Sequence, residues 1–398
     1  MTGSQWRLLA LLSVATFFEG FDFLALSQIL PSLSEEFGLD HAGAGWVIAT
    51  CNVGTILAWG LVRMADRYGR RPVLTGTIAG YTVATLLTGL APTLPLFVAA
   101  QLLARMFLLA EWGISMVYAA EEFGADRRGV ALGVVQTASS LGSIVCAGVV
   151  PMLTHAYGWR SVFFVGVIPL LLLAWARSSL PETRRFTERA PSGDRGLLAV
   201  WRSPYRFRVL QLGAIWACTY AATQTSIAFW KEFAVSERGL DDHGVGLALT
   251  VASLGALPMV AAVGKLLDVL GRRRGSVIIY ALTIVGIVAA YNLHGQWPLT
   301  AALVLGIFGA SAVLPPLNAW STELFPTELR SEAYGWANYV VGRSAYVLAP
   351  LLAGLAAQHV GWGPAVSATA LGPLVALVLI LWWLPETAGR ELEETART

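Results

Sequence analysis

The sequence predicts an all-α integral membrane protein, with twelve transmembrane helices in two pseudo-symmetric six-helix bundles. Three observations predict it. Hydrophobic residues make up 56% of the 398-residue chain and charged residues 13%, about half the charged share of an ordinary soluble domain. Most of the length falls into apolar runs of roughly 18–25 residues, enough to cross a hydrocarbon core about 30 Å thick. The chain also repeats itself. Asp66-Arg67-Tyr68-Gly69-Arg70-Arg71 returns 202 residues later as Asp268-Val269-Leu270-Gly271-Arg272-Arg273. The same offset takes Glu121 to Glu323, Arg128 to Arg330, Gly133 to Gly335 and Gln136 to Asn338. A half-length repeat in a very apolar chain is the mark of a transporter built from two repeats.

The twelve runs are 8–30, 43–62, 73–91, 94–118, 130–153, 160–176, 207–230, 244–267, 276–293, 298–320, 333–357 and 364–384. Within a membrane each must satisfy its own backbone polar groups, so each is a helix. The first is not a cleaved leader. It is too long, it carries Glu19 and Asp22, and no small-residue cleavage site follows it. Charge sets the orientation. Of 27 Lys and Arg, Arg105 and Arg343 lie within runs and Arg160, Lys231 and Arg238 fall on one side. The other 22 fall on the opposite side or at its helix ends. Positive loops stay in the cytoplasm, which places both termini and 63–72, 119–129, 177–206, 268–275 and 321–332 there. The polar stretch 177–206, with Pro181, Pro191 and Pro204, reads as a cytoplasmic linker. It separates an N-terminal bundle, 1–176, from a C-terminal bundle, 207–398, which ends in a short cytoplasmic tail.

Cys51, Cys146 and Cys218 lie within apolar runs, with neither disulfide nor metal-ligand spacing. All five histidines map to the outer loops. No phosphate-binding loop, zinc-protease helix or nucleophile elbow occurs. The chain therefore reads as no enzyme, with no catalytic residue, no metal and no cofactor, driven by a proton gradient. Its expected partners are a small-molecule substrate, protons and the lipid bilayer, and no nucleic acid. Arg outnumbers Lys 25 to 2, which fits a GC-rich bacterial genome and a place in the inner (plasma) membrane.

The segment Gly60-Leu61-Val62-Arg63-Met64-Ala65-Asp66-Arg67-Tyr68-Gly69-Arg70-Arg71 resembles the loop between helices 2 and 3 of the major facilitator superfamily. Gly264-Lys265-Leu266-Leu267-Asp268-Val269-Leu270-Gly271-Arg272-Arg273 matches it more fully, since Val62 stands where the family usually has glycine. Glu121 with Arg128 and Glu323 with Arg330 follow the fourth and tenth runs. Pro181-Glu182-Thr183 and Pro385-Glu386-Thr387 follow the sixth and twelfth. Together these signals cover nearly the whole chain. Their physics is also readable directly. An Asp at a helix C-terminus opposes the dipole unless it is paired, the arginines beside it offer that pairing, and Gly69 and Gly271 permit a tight turn. The resemblance implies a monomer with a cytoplasmic gate built from Asp66, Gly69, Arg70, Arg71, Glu121 and Arg128, and from Asp268, Gly271, Arg272, Arg273, Glu323 and Arg330.

Phe18-Glu19-Gly20-Phe21-Asp22-Phe23 and Glu111-Trp112-Gly113 look like helices 1 and 4 of the proton symporters for aromatic acids, sialic acid and other carboxylates. Those usually read Asp-Gly-x-Asp and Gly-Gly-Glu-Trp. Here Glu19 replaces the first Asp, and Leu109-Ala110 replace the glycines. The family's helix 4 arginine would fall at Gln101, whereas this chain has Arg105, one turn along the same face. A sugar porter usually carries a Gln-Gln pair in helix 7; this chain has single Gln211 and Gln224.

Glu19, Asp22, Arg105, Glu111 and Arg343 sit inside apolar runs. Each costs about 2.5–3.5 kcal/mol near a helix centre, so they should face the interior. Glu19 and Asp22 share a face at i, i+3. Two carboxylates that close in a poorly solvated cavity do not both stay ionised. With Glu111 they are the predicted proton carriers, set against the alternative of permanent pairing with an arginine. Arg105 and Arg343 fork onto carboxylates and cannot deprotonate, so they are the predicted substrate-binding residues, set against an ion pair of Arg343 with Glu111 or Asp22. Tyr339, Arg343 and Tyr346 share a wet helix face, Asn338 adjoins them, and Gln136 is its repeat mate. Tyr220 and Gln224, the mate of Asp22, add polar side chains from the seventh run. Gly20, Gly54, Gly142 and Gly255 read as helix-packing positions. The 202-residue offset carries the five buried charges onto Ala221, Gln224, Ile307, Val313 and Leu141, so the gate repeats and the charges do not. The predicted function is secondary transport by alternating access, as proton-coupled symport of a small organic anion. The alternative is a proton-coupled antiporter exporting organic cations or drugs, with a sugar porter or a non-transporting sensor behind it.

Overall fold

The computed structural model describes residues 3–123, 125–165, 167, 198–326 and 329–387. All regular structure among them is helical. The first half runs α1 (Gly3–Phe37), α2 (His41–Tyr68), α3 (Arg70–Leu90), α4 (Leu94–Glu122), α5 (Ala125–Tyr157) and the start of α6 (Ser161–Val165). A 3-10 turn at Val200–Arg202 leads into α7 (Arg206–Ser236), α8 (Asp242–Leu270), α9 (Arg272–Asn292), α10 (Gln296–Glu323), α11 (Arg330–Val360) and α12 (Trp362–Trp383). Ten of these are long and apolar enough to span a membrane. The 31-residue α7 has the length, but Thr219, Thr223, Thr225 and Ser226 dilute its hydropathy. Most of the predicted sixth span and of the linker 177–206 lies outside the described residues.

The chain divides into two compact units: Met1–Gly38 with Thr50–Gly193, and Leu39–Ala49 with Asp194–Thr398. In the first unit, glycines set the closest helix approaches. A Cβ at Gly20 would stand 1.9 Å from the Ser139 carbonyl oxygen, and one at Gly142 would stand 1.9 Å from that of Phe17. Thus α1 and α5 meet backbone to backbone, as helices do where small residues line the contact. A Cβ at Gly54 would stand 2.1 Å from the Leu102 carbonyl oxygen, which draws α2 onto α4. At the end of α1, Glu36 accepts from Trp159 Nε1 and from both Nη atoms of Arg160, each at 2.7 Å.

The second unit solves the same problem with different residues. A Cβ at Gly213 would meet Val341 Cγ1 at 2.7 Å, and one at Gly342 would meet Trp216 Cβ at 2.7 Å, so α7 lies close on α11. Gly255 is a looser contact, 3.2 Å from Val304 Cγ2. Glu237, just past α7, accepts from the backbone N–H of Trp362 and of Gly363 and so caps α12. In both units a carboxylate therefore ties the end of the first helix to the start of the sixth. Gly69 and Gly271 open α3 and α9 at φ 106° and 80°, a region that side chains strain to enter. Leu352, Leu371 and Trp382 are mostly exposed, as helix faces turned to lipid require.

Candidate functional site

The first unit buries four of the charges. Glu19 is 9% exposed, Asp22 7%, Arg105 9% and Glu111 3%. Each has a neutral hydrogen-bond partner from another helix. Ser139 Oγ on α5 donates to Glu19 Oε2 at 2.7 Å, a contact that the Gly20–Gly142 approach makes possible. The Tyr81 hydroxyl on α3 hydrogen-bonds Asp22, whose charged neighbour is Arg105. Thr77 Oγ1 on α3 and, within α4, Ser115 Oγ donate to the two carboxylate oxygens of Glu111 at 2.9 and 3.0 Å. Arg105 Nη1 donates to Asn52 Oδ1 on α2 at 2.9 Å, and its guanidinium lies 5.6 Å from the Phe23 ring centroid. A hydrogen bond to a charged group is worth about 1.5–3 kcal/mol. That is close to the roughly 2.5–3.5 kcal/mol cost of placing the charge there, so each such bond offsets much of that cost.

The fifth predicted charge lies in the second unit and is held differently. Arg343 is 6% exposed and makes no ion pair among the described residues. Its guanidinium lies 4.8 Å from the ring centroid of Tyr339, 5.3 Å from Tyr346 and 5.8 Å from Tyr220. Its Nε donates to Asn338 Oδ1 at 3.3 Å, and Asn338 Nδ2 donates to the Tyr220 hydroxyl at 3.1 Å. Tyr220 and Tyr346 pack edge to face, with centroids 4.6 Å apart. Local backbone explains the placement. Gly335–Gly342 of α11 is a π-helix, and the Arg343 N–H reaches back five residues to the Asn338 carbonyl at 3.0 Å. Such wide turns concentrate at functional sites. Aromatic faces attract a desolvated cation by about 2 kcal/mol but cannot neutralise it. The cage therefore keeps a full positive charge, suited to an anion.

Gln136 is exposed on α5 and Gln224 half-buried on α7, and neither side chain hydrogen-bonds these clusters among the described residues. Among the predicted gate residues of the second unit, Arg272 pairs with Glu323, and Arg273 Nη2 donates to the Leu381 carbonyl. The backbone N–H groups of Arg272 and Arg273 donate to the two carboxylate oxygens of Glu386 at 2.9 Å each. Glu386 thus caps α9 from the far end of the repeat. Asp268 is exposed and makes no ion pair among the described residues. The expectation that the adjacent arginines pair with it fails because Glu323 and Leu381 engage them. Arg330 Nη2 donates to the Phe325 carbonyl at 3.4 Å. In the first unit Arg70 is buried and donates to the Ala65 carbonyl at 2.8 Å, while Arg71 is exposed. Predicted gate residues Asp66, Glu121 and Arg128 have side chains outside the described residues, as has Pro181-Glu182-Thr183.

Sequence reasoning passed over Asn52, Thr77, Tyr81, Ser115 and Ser139, because neutral polar side chains in an apolar run send no charge signal. One signal was there to read: Thr77, Tyr81, Thr85 and Thr88 form a polar stripe at spacings of 4, 4 and 3 along α3.

A duplicated, all-helical, membrane-spanning chain that buries unlike charges within its helices has the build of a secondary transporter. A family model for the Major Facilitator Superfamily matches residues 12–240 and 212–398. The chain belongs to that superfamily; it is a multi-pass membrane transporter and not an enzyme. It is 24% identical to the sialic acid transporter NanX of Escherichia coli (strain K12), over 87% of this chain and 86% of that one. It is 28% identical to the 3-(3-hydroxy-phenyl)propionate transporter of the same organism, over 90% and 89%. In fold it matches a D-xylose-proton symporter crystal structure with a TM-score of 0.79 at 16% identity, over 97% and 99% of the two chains.

Proposed function

We propose that the protein takes up a small organic anion, a carboxylate, together with protons, by alternating access across a bacterial inner membrane. The observation that carries this reading is Arg343, a buried guanidinium caged by three tyrosines with no carboxylate paired to it among the described residues. A substrate carboxylate supplies the missing charge and forks onto the guanidinium. Tyr220, Tyr339 and Tyr346 bound the substrate and Asn338 fixes the guanidinium, while Arg105, Gln136 and Gln224 stay proposed as further substrate-binding residues. Asp22 and Glu19, with Glu111, carry the proton. Relatives named for sialic acid and for a hydroxyphenylpropionate support an acid as substrate. The protein works as a monomer with both termini cytoplasmic, and the Asp-Gly-Arg-Arg loops with their glutamate partners form the inner gate.

The test is uptake of radiolabelled carboxylates into proteoliposomes under an imposed pH gradient. Uptake is expected to rise with the inward proton gradient, collapse with a protonophore, and lose its gradient dependence in Asp22→Asn. Undiminished proton-driven uptake in that variant would sink the coupling. The three buried acids of the first unit favour a second reading, export of organic cations in exchange for protons. It predicts that Glu111→Gln abolishes cation binding, whereas the first reading predicts that Arg343→Ala abolishes carboxylate binding.

A further inference from the structure

The aromatic cage of Arg343 continues along α11 to a residue that the reading above leaves unused. Tyr339, one wall of the cage, packs edge to face on Tyr334, with ring centroids 6.4 Å apart. The Tyr334 hydroxyl donates to Asn318 Oδ1 on α10 at 3.0 Å. The winding of α11 makes this continuity. Nine residues of α-helix are about two and a half turns, which would set Tyr334 on the side opposite Arg343. The π-helix Gly335–Gly342 lies between them. It winds more slowly, through i→i+5 bonds, so nine residues come to about two turns and Tyr334 returns to the side of Arg343. Asn318 itself stands on an accessible face of α10. It shares that face with Pro315 and Thr322, at spacings of 3 and 4, while Pro316, Leu317, Trp320 and Ser321 are buried. A face turned to lipid is apolar, as at Leu352, Leu371 and Trp382. This one carries an amide and a hydroxyl, so it is a wet face. The 202-residue offset sets Met116 and Leu132 against Asn318 and Tyr334, so the pair, like the buried charges, belongs to one half alone.

We propose that Asn318 is a substrate-specificity residue, whose amide N–H groups donate to an oxygen at the end of the substrate remote from its carboxylate. The proposal rests on the reading of Arg343 as the carboxylate site, and it narrows the substrate class to small acids with a second, remote oxygen. The Tyr334 hydroxyl occupies the amide oxygen and so fixes which way the amide faces. The two N–H groups of that amide make no hydrogen bond among the described residues. An acid held by Arg343 would lay its apolar body along the Tyr339 and Tyr334 rings, over about 14 Å or less of helix axis. A site built to hydrogen-bond an oxygen rejects the analogue that lacks it, because the donors are then left unpaired.

The experiment is calorimetric binding to the purified full chain. The probes are benzoate, phenylpropionate and octanoate, acids of rising length, each beside the form with a hydroxyl at its far end: para-hydroxybenzoate, para-hydroxyphenylpropionate and ω-hydroxyoctanoate. In the wild type at least one hydroxylated acid is expected to bind about tenfold more tightly than its parent, as one hydrogen bond allows. Asn318→Asp keeps the acceptor for Tyr334 and loses the amide donors, and Asn318→Leu loses both. In each the preference for the hydroxylated acid is expected to be lost. The ratio of the two affinities cancels what a variant does to the carboxylate end or to packing. Asn318→Asp, nearly isosteric, carries the test if Asn318→Leu does not fold. A purely structural Asn318 predicts a lower melting temperature with the preference intact, and that result overturns the inference. So does a wild type that binds hydroxylated and parent acids alike, or that binds none of the six while another carboxylate binds through Arg343. Each of these leaves the proposed function standing. A protein that binds no carboxylate in an Arg343-dependent way overturns both.

Discussion

The Arg343 Nε–H donates to the Asn338 side-chain oxygen at 3.3 Å, from one end of a π-helical stretch of α11 to its middle. The other end of the same amide donates to the Tyr220 hydroxyl on α7 at 3.1 Å. One asparagine thus fixes both the cation and one wall of its aromatic cage.

Lysine at position 343 keeps the charge but not the planar fork. Carboxylate affinity in Arg343→Lys is expected to fall about tenfold or more, as one charge-assisted hydrogen bond is worth. Equilibrium binding of labelled substrate checks this, with the ligand-free melting temperature as the control for folding. Unchanged affinity would remove Arg343 from the substrate site.

Gly142→Ala places a Cβ 1.9 Å from the Phe17 carbonyl, so α1 and α5 must move apart. The expected cost is about 1–3 kcal/mol, read as a lower melting temperature in lipid nanodiscs. Glu19 loses its Ser139 partner in the same step. Gly133→Ala on the same helix meets nothing within 4 Å and is expected to leave the melt unchanged or raised slightly. Equal effects at both glycines would show that the close approach does not decide the packing.

Glu386→Gln leaves the first N–H groups of α9 without their carboxylate. A lost cap costs about 1 kcal/mol, a drop of roughly 2–4 °C for a unit of this size. Differential scanning fluorimetry resolves that. Glu237→Gln, which uncaps α12, is expected to give a fall of similar size, and a melt unaffected by either change would mean that water replaces both caps.

Arg272 and Glu323 pair with side chains only 21% and 15% exposed. Their coupling should exceed the 0–1 kcal/mol of a solvated pair and reach about 1–3 kcal/mol in a double-mutant cycle. The cycle uses Arg272→Gln and Glu323→Gln, read by chemical denaturation. Additive effects would mean that burial adds nothing to this charge pair.

Much of the fold was legible because its causes are local along the chain. A run of apolar residues has to become a helix in lipid whatever surrounds it, and the 202-residue offset is a property of the string. The buried charges were legible for a related reason: an ion in an apolar run is conspicuous one residue at a time. Most predicted helix ends fell short of the observed ones, as in α1, predicted over 8–30 and observed over Gly3–Phe37. The helices run on past the apolar stretch into segments whose polarity hides them.

The sequence by itself determined which residues are charged inside the membrane and that the two halves share a plan. Only the tertiary structure decided what holds each charge. Ser139 reaches Glu19 across 120 residues, and Glu386 reaches Arg272 across 114. Neither pairing has a sequence signature, because serine in one helix and a glutamate after another look the same whether they face lipid, water or an ion. Glycine is silent in the same way. Gly20, Gly54 and Gly142 matter for the distance they allow between backbones, and that distance exists only once the helices have packed.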